Sequence, residues 1–282
     1  MATTTEYITR IEVEGLWGRL DLDWALQPDV NILSGQNGSG KTTLIRALAQ
    51  LLRTGNLTAE TQRLMRQMRV TFGDGQILVS GEGKAPEGHN IDIISTFDNH
   101  LLEIDAVKQL TGGAVRSELD WELYRVQRRY LSYQLALGKR AVEVLTRGSA
   151  PERLTEVNAR QTLFFDIVDQ MFEGSGKKID RKSDELMFDT PWGKITPYTL
   201  SSGEKQLLLI LTTALTEDDR PAILLMDEPE ISLHFDWQGC LIENIRQINP
   251  RAQIILSTHS PALIMNGWVG HVTEINDLIV NK

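Results

Sequence analysis

The feature that most restricts the fold of this chain is a glycine-rich segment between a short apolar strand and an amphipathic helix. Residues 30–33 are suited to a strand, and residues 42–52 carry apolar side chains at helical spacing. Glycines in such a loop let successive backbone N–H groups turn towards one anion, and the following helix adds its positive N-terminal end. A strand, a glycine loop and a helix in this order predict an α/β fold with a phosphate-binding turn.

The loop matches the pattern G-x-x-x-x-G-K-[ST] in full over residues 35–42. Lys41 is expected to reach the β- and γ-phosphates of a nucleotide, and Thr42 is placed to hold Mg²⁺. The alternative is a glycine turn with an incidental lysine, which the flanking strand and helix disfavour. The expected nucleotide-binding residues of this segment are Gly35, Asn37, Gly38, Ser39, Gly40, Lys41, Thr42 and Thr43.

Two carboxylates follow a second apolar segment near the other end of the chain. Residues 222–226 are all apolar, as in a strand from the middle of a sheet that is covered on both faces. Asp227 and Glu228 come next, so Asp227 is expected near the Mg²⁺ shell and Glu228 is placed to orient or deprotonate water. The alternative is a buried strand that ends in a solvated acidic turn, and the phosphate-binding loop elsewhere in the chain argues against it.

Three further segments complete a recognisable set: LSSGE at residues 200–204, DEPEISLH at 227–234 and STHS at 257–260. Together with the loop, they resemble the ABC-type ATPases, which carry a phosphate loop, a signature, a Walker B strand, a D-loop and a switch histidine in this order. LSSGE in place of LSGGQ, and the D-loop segment followed by Trp237 and Gln238, look more similar to the soluble SMC, RecF and OLD-like group, often described as AAA-family ATPases. The resemblance covers both ends of the chain and not its middle.

This resemblance implies a P-loop NTPase fold of the ABC-ATPase type with an antiparallel β subdomain, and it implies ATP hydrolysis with Mg²⁺. Ser201, Ser202 and Gly203 would be the signature, which in this family meets the γ-phosphate bound to the other subunit. Two copies would then enclose two ATP molecules head to tail, as a homodimer or part of a higher homo-oligomer. His259 would sense the γ-phosphate and join Glu228 and Lys41 as a catalytic residue.

Several positions depart from the family pattern or leave it open. His234 stands where transporters carry the D-loop aspartate. The glutamine that usually closes the Mg²⁺ shell is not obvious, and Asp98 or Thr96 could take its place, although Asp98 is equally suited to a turn or a helix cap. Trp17 is a candidate for stacking on adenine, but an aromatic residue beside two glycines is more often a packing residue.

The middle of the chain predicts a helical hairpin inserted into the α/β domain. Apolar residues between 119 and 137 form a heptad seam that ends where Arg140 takes a seam position, and a second helix is expected over residues 152–172. This second helix is the expected partner of the seam, and the hairpin should splay or end at Arg140, since an unpaired buried guanidinium is costly. The expected division is an N-terminal lobe with Walker A (1–100), the hairpin insertion (101–180) and a C-terminal lobe with the other motifs (181–282).

The predicted hairpin is basic, although the chain as a whole has a net charge of −9. Residues 116–147 contain seven Lys or Arg and four Asp or Glu. The overall charge opposes non-specific binding to nucleic acid, so any such contact would use this local patch. The patch is either an ordinary solvated helix face or a docking surface for nucleic acid or an acidic partner. The arginines expected to lie partly on its outside are Arg125, Arg128, Arg129 and Arg140.

Composition limits the remaining classes of protein. The 282 residues are 41% hydrophobic and 24% charged, which is typical of a globular chain with a sizeable core. The single cysteine, Cys240, excludes an internal disulfide and a cysteine-cluster metal site. No segment has the roughly 20 apolar residues of a membrane span, and no secretory signal is evident, so a cytoplasmic protein without a membrane partner is expected.

Two functions compete at this point. The first is a soluble ATPase that dimerises on ATP and uses hydrolysis as a conformational switch controlling a separately encoded effector, for example a Toprim-like nuclease, in phage defence or DNA maintenance. Small ATPases of two-gene phage-defence systems show the same resemblance. The second is the nucleotide-binding subunit of an ABC transporter, which the long helical insertion and the LSSGE signature disfavour. A non-catalytic scaffold is also disfavoured, because Lys41, Asp227 and Glu228 are intact.

Overall fold

The computed structural model describes residues 7–82, 91–95, 113, 115–147 and 151–280, with the backbone alone at residues 95 and 151–153. The chain forms two compact units and passes between them several times. Unit 1 comprises Met1–Phe97, Arg220–Ile231 and Arg251–Lys282, and unit 2 comprises Asp98–Asp219 and Ser232–Pro250. The predicted lobes, divided at residues 100 and 180, are continuous in sequence, whereas each compact unit combines separate segments. The division into lobes therefore stays a prediction.

An antiparallel sheet of unit 1 forms from the alternating segments near the start of the chain. Its strands are β1 (Ile8–Leu16), β2 (Leu20–Ala25), β4 (Gln67–Phe72) and β5 (Ile77–Val79), in the order β2-β1-β4-β5. Residues alternate between the core and solvent along β4, where Val70 is buried and Arg69 is exposed. The expected antiparallel subdomain is therefore confirmed.

The second sheet of unit 1 is parallel and takes its strands from both ends of the chain. They are β3 (Val30–Ser34), β6 (Ile91–Ser95), β10 (Ala222–Asp227), β11 (Ala252–Ser257) and β12 (Val272–Glu274), in the order β12-β3-β11-β10-β6. All residues of β10 and β11 are buried, as expected of strands covered on both faces. Ser257 of β11 pairs with Asp227 on one side and with Leu33 on the other, so three strands end at the same edge.

Helices α1 (Lys41–Thr54), α2 (Ala59–Leu64) and α7 (Pro261–Met265) also belong to unit 1. The apolar face of α1 is buried through Leu44 and Leu48, and it packs against β10 and β11. One hydrophobic cluster joins this face to residues of both sheets. The sequence pattern did not predict α2, which begins at a Thr58 cap in a polar stretch.

In unit 2, the described residues form four α-helices and a small antiparallel sheet. The helices are α3 (Glu118–Thr146), α4 (Pro151–Met171), α5 (Ser202–Thr216) and α6 (Phe235–Ile248). The strands are β7 (Lys178–Ile179), β8 (Phe188–Thr190) and β9 (Gly193–Ile195), in that order in the sheet. Within the described ranges, no helix is long and apolar enough to cross a membrane.

The heptad seam of α3 is buried, and its helix has a second partner besides the expected one. Leu123, Val126 and Leu137 are each less than 5% exposed. They belong to a helix that packs against α5 as well as against α4, and Lys205 of α5 forms an ion pair with Asp120 of α3 at 2.7 Å. The prediction that the second helix of the hairpin packs on the seam helix agrees with the structure, and α5, which is buried along almost its whole length, is a further partner.

Two of the arginines that were expected to lie partly on the outside are partly exposed, and they also bind an acidic turn. The acidic turn, residues 217–219, follows α5, and Glu217 is only 1% exposed. Arg129 binds Glu217, and Arg140 binds Asp218 at 2.7 Å. Arg140 keeps 42% of its side chain exposed in addition to its ion pair, so it is not an unpaired buried charge, and α3 continues past it to Thr146.

Candidate active site

The glycine-rich loop connects β3 to α1 and has the backbone that its sequence requires. Gly35, Gly38 and Gly40 have φ values of 148°, 77° and 101°, in the region that residues with a side chain rarely adopt. A Cβ atom on Gly35 would also lie 2.8 Å from the side chain of Ile275. Gly40 caps α1 without a side-chain acceptor, so the first N–H groups of the helix are available to an anion.

Lys41 is buried and folds back over the loop. It is 4% exposed, and its Nζ donates hydrogen bonds to the carbonyl oxygens of Gly35 at 2.8 Å and Gln36 at 3.0 Å. Burial lowers the pKa of Lys41, while the nearby carboxylates of Glu228 and Asp227 oppose that shift. The lysine that the sequence assigns to the phosphates therefore lies over the loop, and the nearby carboxylates belong to the last residue of β10 and the residue after it.

The other loop residues from the sequence analysis line the same turn. Ser39 donates its N–H to the carbonyl of Gln36, and its Oγ atom is buried with no hydrogen-bond partner among the described residues. A buried hydroxyl of this kind has capacity for a ligand oxygen. Asn37 is exposed, and Thr43 is half-buried in the first turn of α1.

Asp227 lies where β10 and α1 meet, and it is 4% exposed. Its Oδ1 accepts hydrogen bonds from the hydroxyl of Thr42 at 3.2 Å and from that of Ser257 at 2.5 Å. A carboxylate and a hydroxyl at this spacing form an oxygen donor set of the kind that Mg²⁺ prefers. Sequence reasoning paired Thr42 with Asp227, but it did not find Ser257, whose place follows from the parallel register of β10 and β11.

Glu228 adopts a backbone conformation that is rare for its residue type. Its φ is 48°, its N–H donates to the carbonyl of Ser257 at 3.0 Å, and its Oε1 lies 3.6 Å from Nε2 of His259. Strained backbone of this kind is concentrated at active sites. The structure thus brings together the carboxylate and the histidine that the sequence places 31 positions apart.

Glu230 was not singled out by sequence reasoning, although it stands in the DEPE segment. It is 8% exposed, and its carboxylate accepts hydrogen bonds from the hydroxyl of Thr258 and from the N–H of His259. A second carboxylate two residues after Glu228 was the only signal in the sequence. The glutamate therefore joins the turn after β10 to the segment that carries the histidine.

The signature segment, residues 201–203, lies at the start of α5 in unit 2. Ser201 and Ser202 are exposed, and Ser201 forms a capping box with Glu204. A Cβ atom on Gly203 would lie 2.3 Å from the carbonyl oxygen of Ser232, so only glycine allows the D-loop backbone this close. Burial would raise the pKa of Glu204, but hydrogen bonds from Lys177, the backbone of Ser201 and Ser175 outweigh it and lower the pKa.

Three further predictions concern Trp17, His234 and the residue in place of the missing glutamine. Trp17 is 37% exposed, and its ring edge would lie 3.0 Å from a Cβ on Gly40, so it lies against the phosphate-binding loop. His234 caps α6, where its Nδ1 accepts the N–H of Asp236 at 3.4 Å. Thr96 and Asp98, the candidates for the missing glutamine, lie outside the described residues.

Two family models match the chain. One, described as "AAA domain, putative AbiEii toxin, Type IV TA system", matches residues 110–266, and the other, described as "AAA domain", matches residues 17–187. Each covers more than half of the chain, and between them they include all the motif segments described above.

Similar proteins agree with these matches. A Septu protein PtuA of Bacillus thuringiensis is 23% identical over 96% of this chain and 75% of its own length. A "Retron Vc95 probable ATPase" of Vibrio cholerae is 32% identical, but the match covers only 30% of this chain and 19% of that protein.

A solved structure shows the same fold. The Smc head domain derived from Pyrococcus furiosus, with an extended coiled coil and bound to the C-terminal domain of ScpA, superposes with a TM-score of 0.51 at 16% identity, over 92% of this chain and 91% of that one. The chain therefore belongs to the AAA-domain family and is an ATP-hydrolysing enzyme with the α/β fold of an SMC head.

Proposed function

We propose that this ATPase closes into a head-to-tail dimer on binding ATP and uses hydrolysis as a conformational switch that controls a partner effector. The observation that carries the proposal is the meeting of Lys41, Thr42, Asp227, Glu228 and His259 around one phosphate-binding loop. Such a set can bind a nucleotide and activate water, and binding and hydrolysis of the nucleotide would then shift the balance between two states of a switch.

Each residue of this set has a role that follows from its place. Lys41 would exchange its carbonyl partners for the β- and γ-phosphates, and Thr42 and Asp227 would hold Mg²⁺, which supplies charge neutralisation when it is bound. Glu228 would orient the attacking water and accept its proton. His259, 3.6 Å from Glu228, would respond to the γ-phosphate and hold the carboxylate in place.

The signature segment would act on the nucleotide of the second copy. Its serines are exposed at the start of a fifteen-residue helix, where backbone N–H groups and the helix dipole favour an anion. The SMC-head fold and the order of motifs support an arrangement in which Ser201, Ser202 and Gly203 meet the γ-phosphate held by the partner copy. A homodimer, alone or within a larger homo-oligomer, follows from this arrangement.

Similarity to a Septu protein and to a retron ATPase supports a place for the dimer in phage defence, with a separately encoded effector such as a Toprim-like nuclease. The helical arm, formed by α3 and α4, is the surface we assign to that effector or to nucleic acid. On its outer side, Arg128 and Lys139 are exposed and form no ion pair within the ranges that the structure describes. They can therefore receive an acidic partner, unlike Arg129 and Arg140.

The test of the switch is Glu228→Gln, which keeps the size of the side chain and removes the base. The variant should bind ATP and hydrolyse it at least ~10²-fold more slowly, the usual scale for a general base. It should also accumulate as an ATP-bound dimer, measured by light scattering after size-exclusion chromatography with and without ATP. Glu243→Gln, an exposed position on α6, is the matched control and should keep the wild-type rate.

Two outcomes would contradict the proposal separately. Hydrolysis by Glu228→Gln at the wild-type rate would remove Glu228 from the mechanism. A variant that binds ATP, hydrolyses it slowly and stays monomeric at every protein concentration would leave the catalytic residues in place and exclude the head-to-tail dimer.

A further inference from the structure

The chain segments that follow β10 and β11 stay in contact beyond the ends of both strands, through the side chain of one residue. The last residues of the two strands that pair are Asp227 and Ser257. Beyond them, the N–H of Glu228 donates a hydrogen bond to the carbonyl oxygen of Ser257 at 3.0 Å. After Pro229 the chain turns, and the N–H of Ile231 donates a hydrogen bond to the carbonyl oxygen of Glu228 at 3.1 Å. Backbone pairing with β11 therefore gives way at this turn to a side-chain contact.

Glu230 makes that contact. Its Oε1 accepts two hydrogen bonds from the segment after β11, one from the hydroxyl of Thr258 and one from the N–H of His259 at 3.0 Å. The hydroxyl of Thr258 accepts in turn from the N–H of Ser260 at 2.9 Å, and Ser260 caps α7. The backbone on both sides of the His259 side chain is thus fixed, directly or through Thr258, by one buried carboxylate.

Packing alone does not account for a carboxylate at this position. Glu230 is 8% exposed, and its second oxygen, Oε2, is buried with no hydrogen-bond partner in the part of the chain that the structure describes. A buried, partly satisfied carboxylate costs stability that an apolar side chain of similar size would not cost. The arrangement therefore suits a residue whose geometry serves the reaction.

We propose that Glu230 is a positioning residue for ATP hydrolysis, which acts by holding the backbone of residues 258–259 so that the imidazole of His259 faces Glu228. The inference rests on the roles proposed above for Glu228 and His259. Glu228 and Glu230 lie on the same turn, so the contact sets the distance between the two catalytic side chains from both sides. A misplacement of about 1 Å between catalytic groups can lower a rate by about 10²-fold.

The first test removes the contact from each side in turn. Glu230→Leu and Thr258→Val should each lower kcat for ATP hydrolysis by about 10- to 100-fold, with KM and the Kd for ATP within about threefold of wild type, because the phosphate-binding loop is untouched. Glu230→Gln keeps an accepting oxygen, and Thr258→Ser keeps the hydroxyl. The kcat of each should therefore be at least about tenfold higher than that of Glu230→Leu or Thr258→Val, respectively. Glu243→Leu makes the same change as Glu230→Leu at an exposed position and is the control for loss of a carboxylate.

The second test asks whether Glu230 acts through the histidine. In a His259→Ala background, Thr258→Val and Glu230→Leu should lower kcat by less than about twofold more, because their target is already gone. Losses that multiply in the double variants, or a loss equal in Glu230→Gln and Glu230→Leu, would overturn the proposal. A wild-type kcat in His259→Ala alone would instead show that the proposed role of His259 is wrong. If Glu230→Leu does not fold, the Thr258→Val and Thr258→Ser pair decides the matter.

Discussion

At the scale of single residues, the centre of this ATPase combines buried charges with a strained backbone. Lys41 and Asp227 are each only 4% exposed, and Glu228 holds a left-handed φ of 48°. Charges in such a place are costly unless they have partners, and here loop carbonyls and hydroxyl groups provide them. In the proposed role of Lys41, the phosphate oxygens of a nucleotide would replace its two carbonyl partners.

The prediction at this scale concerns Lys41. Lys41→Ala should weaken ATP binding by roughly 10- to 100-fold, because hydrogen bonds to a charged group contribute about 1.5–3 kcal/mol. Titration calorimetry with ATP measures the change, and Lys139→Ala on the exposed side of α3 is the matched control. An unchanged Kd in Lys41→Ala would mean that the loop does not bind the phosphates.

Local patterns predicted the residues whose role depends on neighbours in sequence. Lys41 and Thr42 follow a glycine loop, and Asp227 ends an apolar strand, so their types and spacing indicate their chemistry. Ser257 and Glu230 could not be predicted in this way. Their contacts depend on which strand lies beside β10 and in what register, and neither is encoded in a local pattern.

At the scale of secondary-structure elements, the helical arm binds the acidic turn after α5. Each of the three acidic residues of that turn forms one ion pair with an arginine of the arm. Arg129 binds Glu217, Arg140 binds Asp218, and Arg160 of α4 binds Asp219 at 3.1 Å. Asp218 and Asp219 have φ values of 56° and 61°. These pairs hold three consecutive acidic side chains on the two helices of the arm.

We expect a contrast between two adjacent arginines of α3. Arg129→Gln should lower the free energy of unfolding by roughly 2 kcal/mol or more, because it takes a charged partner from the buried Glu217. Arg128→Gln should change it by less than about 0.5 kcal/mol, as is usual for an exposed position. Urea denaturation of both variants measures the difference, and equal stabilities would show that the buried pair contributes nothing.

Element types were predictable from periodicity, whereas their partners were not. The apolar run of β10 indicated a buried strand, and the heptads of α3 indicated a helix. Chain connectivity suggested α4 as the partner of α3, but α5 packs on it as well. An apolar seam indicates that a helix face must be buried. It does not indicate which of several helices with apolar faces will bury it.

At the scale of the whole molecule, the motifs are divided between the two compact units. The phosphate-binding loop, Walker B residues and His259 belong to unit 1, and the signature belongs to unit 2. The chain passes from one unit to the other at residues 219–220, directly before β10, and again at 231–232, where Ser232 has a left-handed φ of 73°. If two copies share their sites, every complete site requires unit 1 of one copy and unit 2 of the other.

Sharing of sites predicts that two inactive variants can complement each other. A mixture of Lys41→Ala and Ser201→Arg protein should recover up to about a quarter of wild-type ATPase activity, since half of randomly formed dimers are mixed and each has one intact site of two. Two affinity tags would identify the mixed dimer, and Ser201→Thr, which keeps the helix cap, controls for its loss. Mixed dimers without any recovered activity would exclude catalysis in trans.

The strand order of the parallel sheet also sets the time at which the enzyme can first exist during translation. β3 ends at residue 34, and its neighbour β11 begins at residue 252. A ribosome that adds about 5–20 residues per second needs roughly 10–40 s to deliver the second strand after the first. During that interval, the apolar residues of β3 have emerged before their partners have been made. The nascent chain thus depends on whatever shields this segment, and the glycine-rich loop is assembled among the last parts of the molecule although it is among the first to be synthesised.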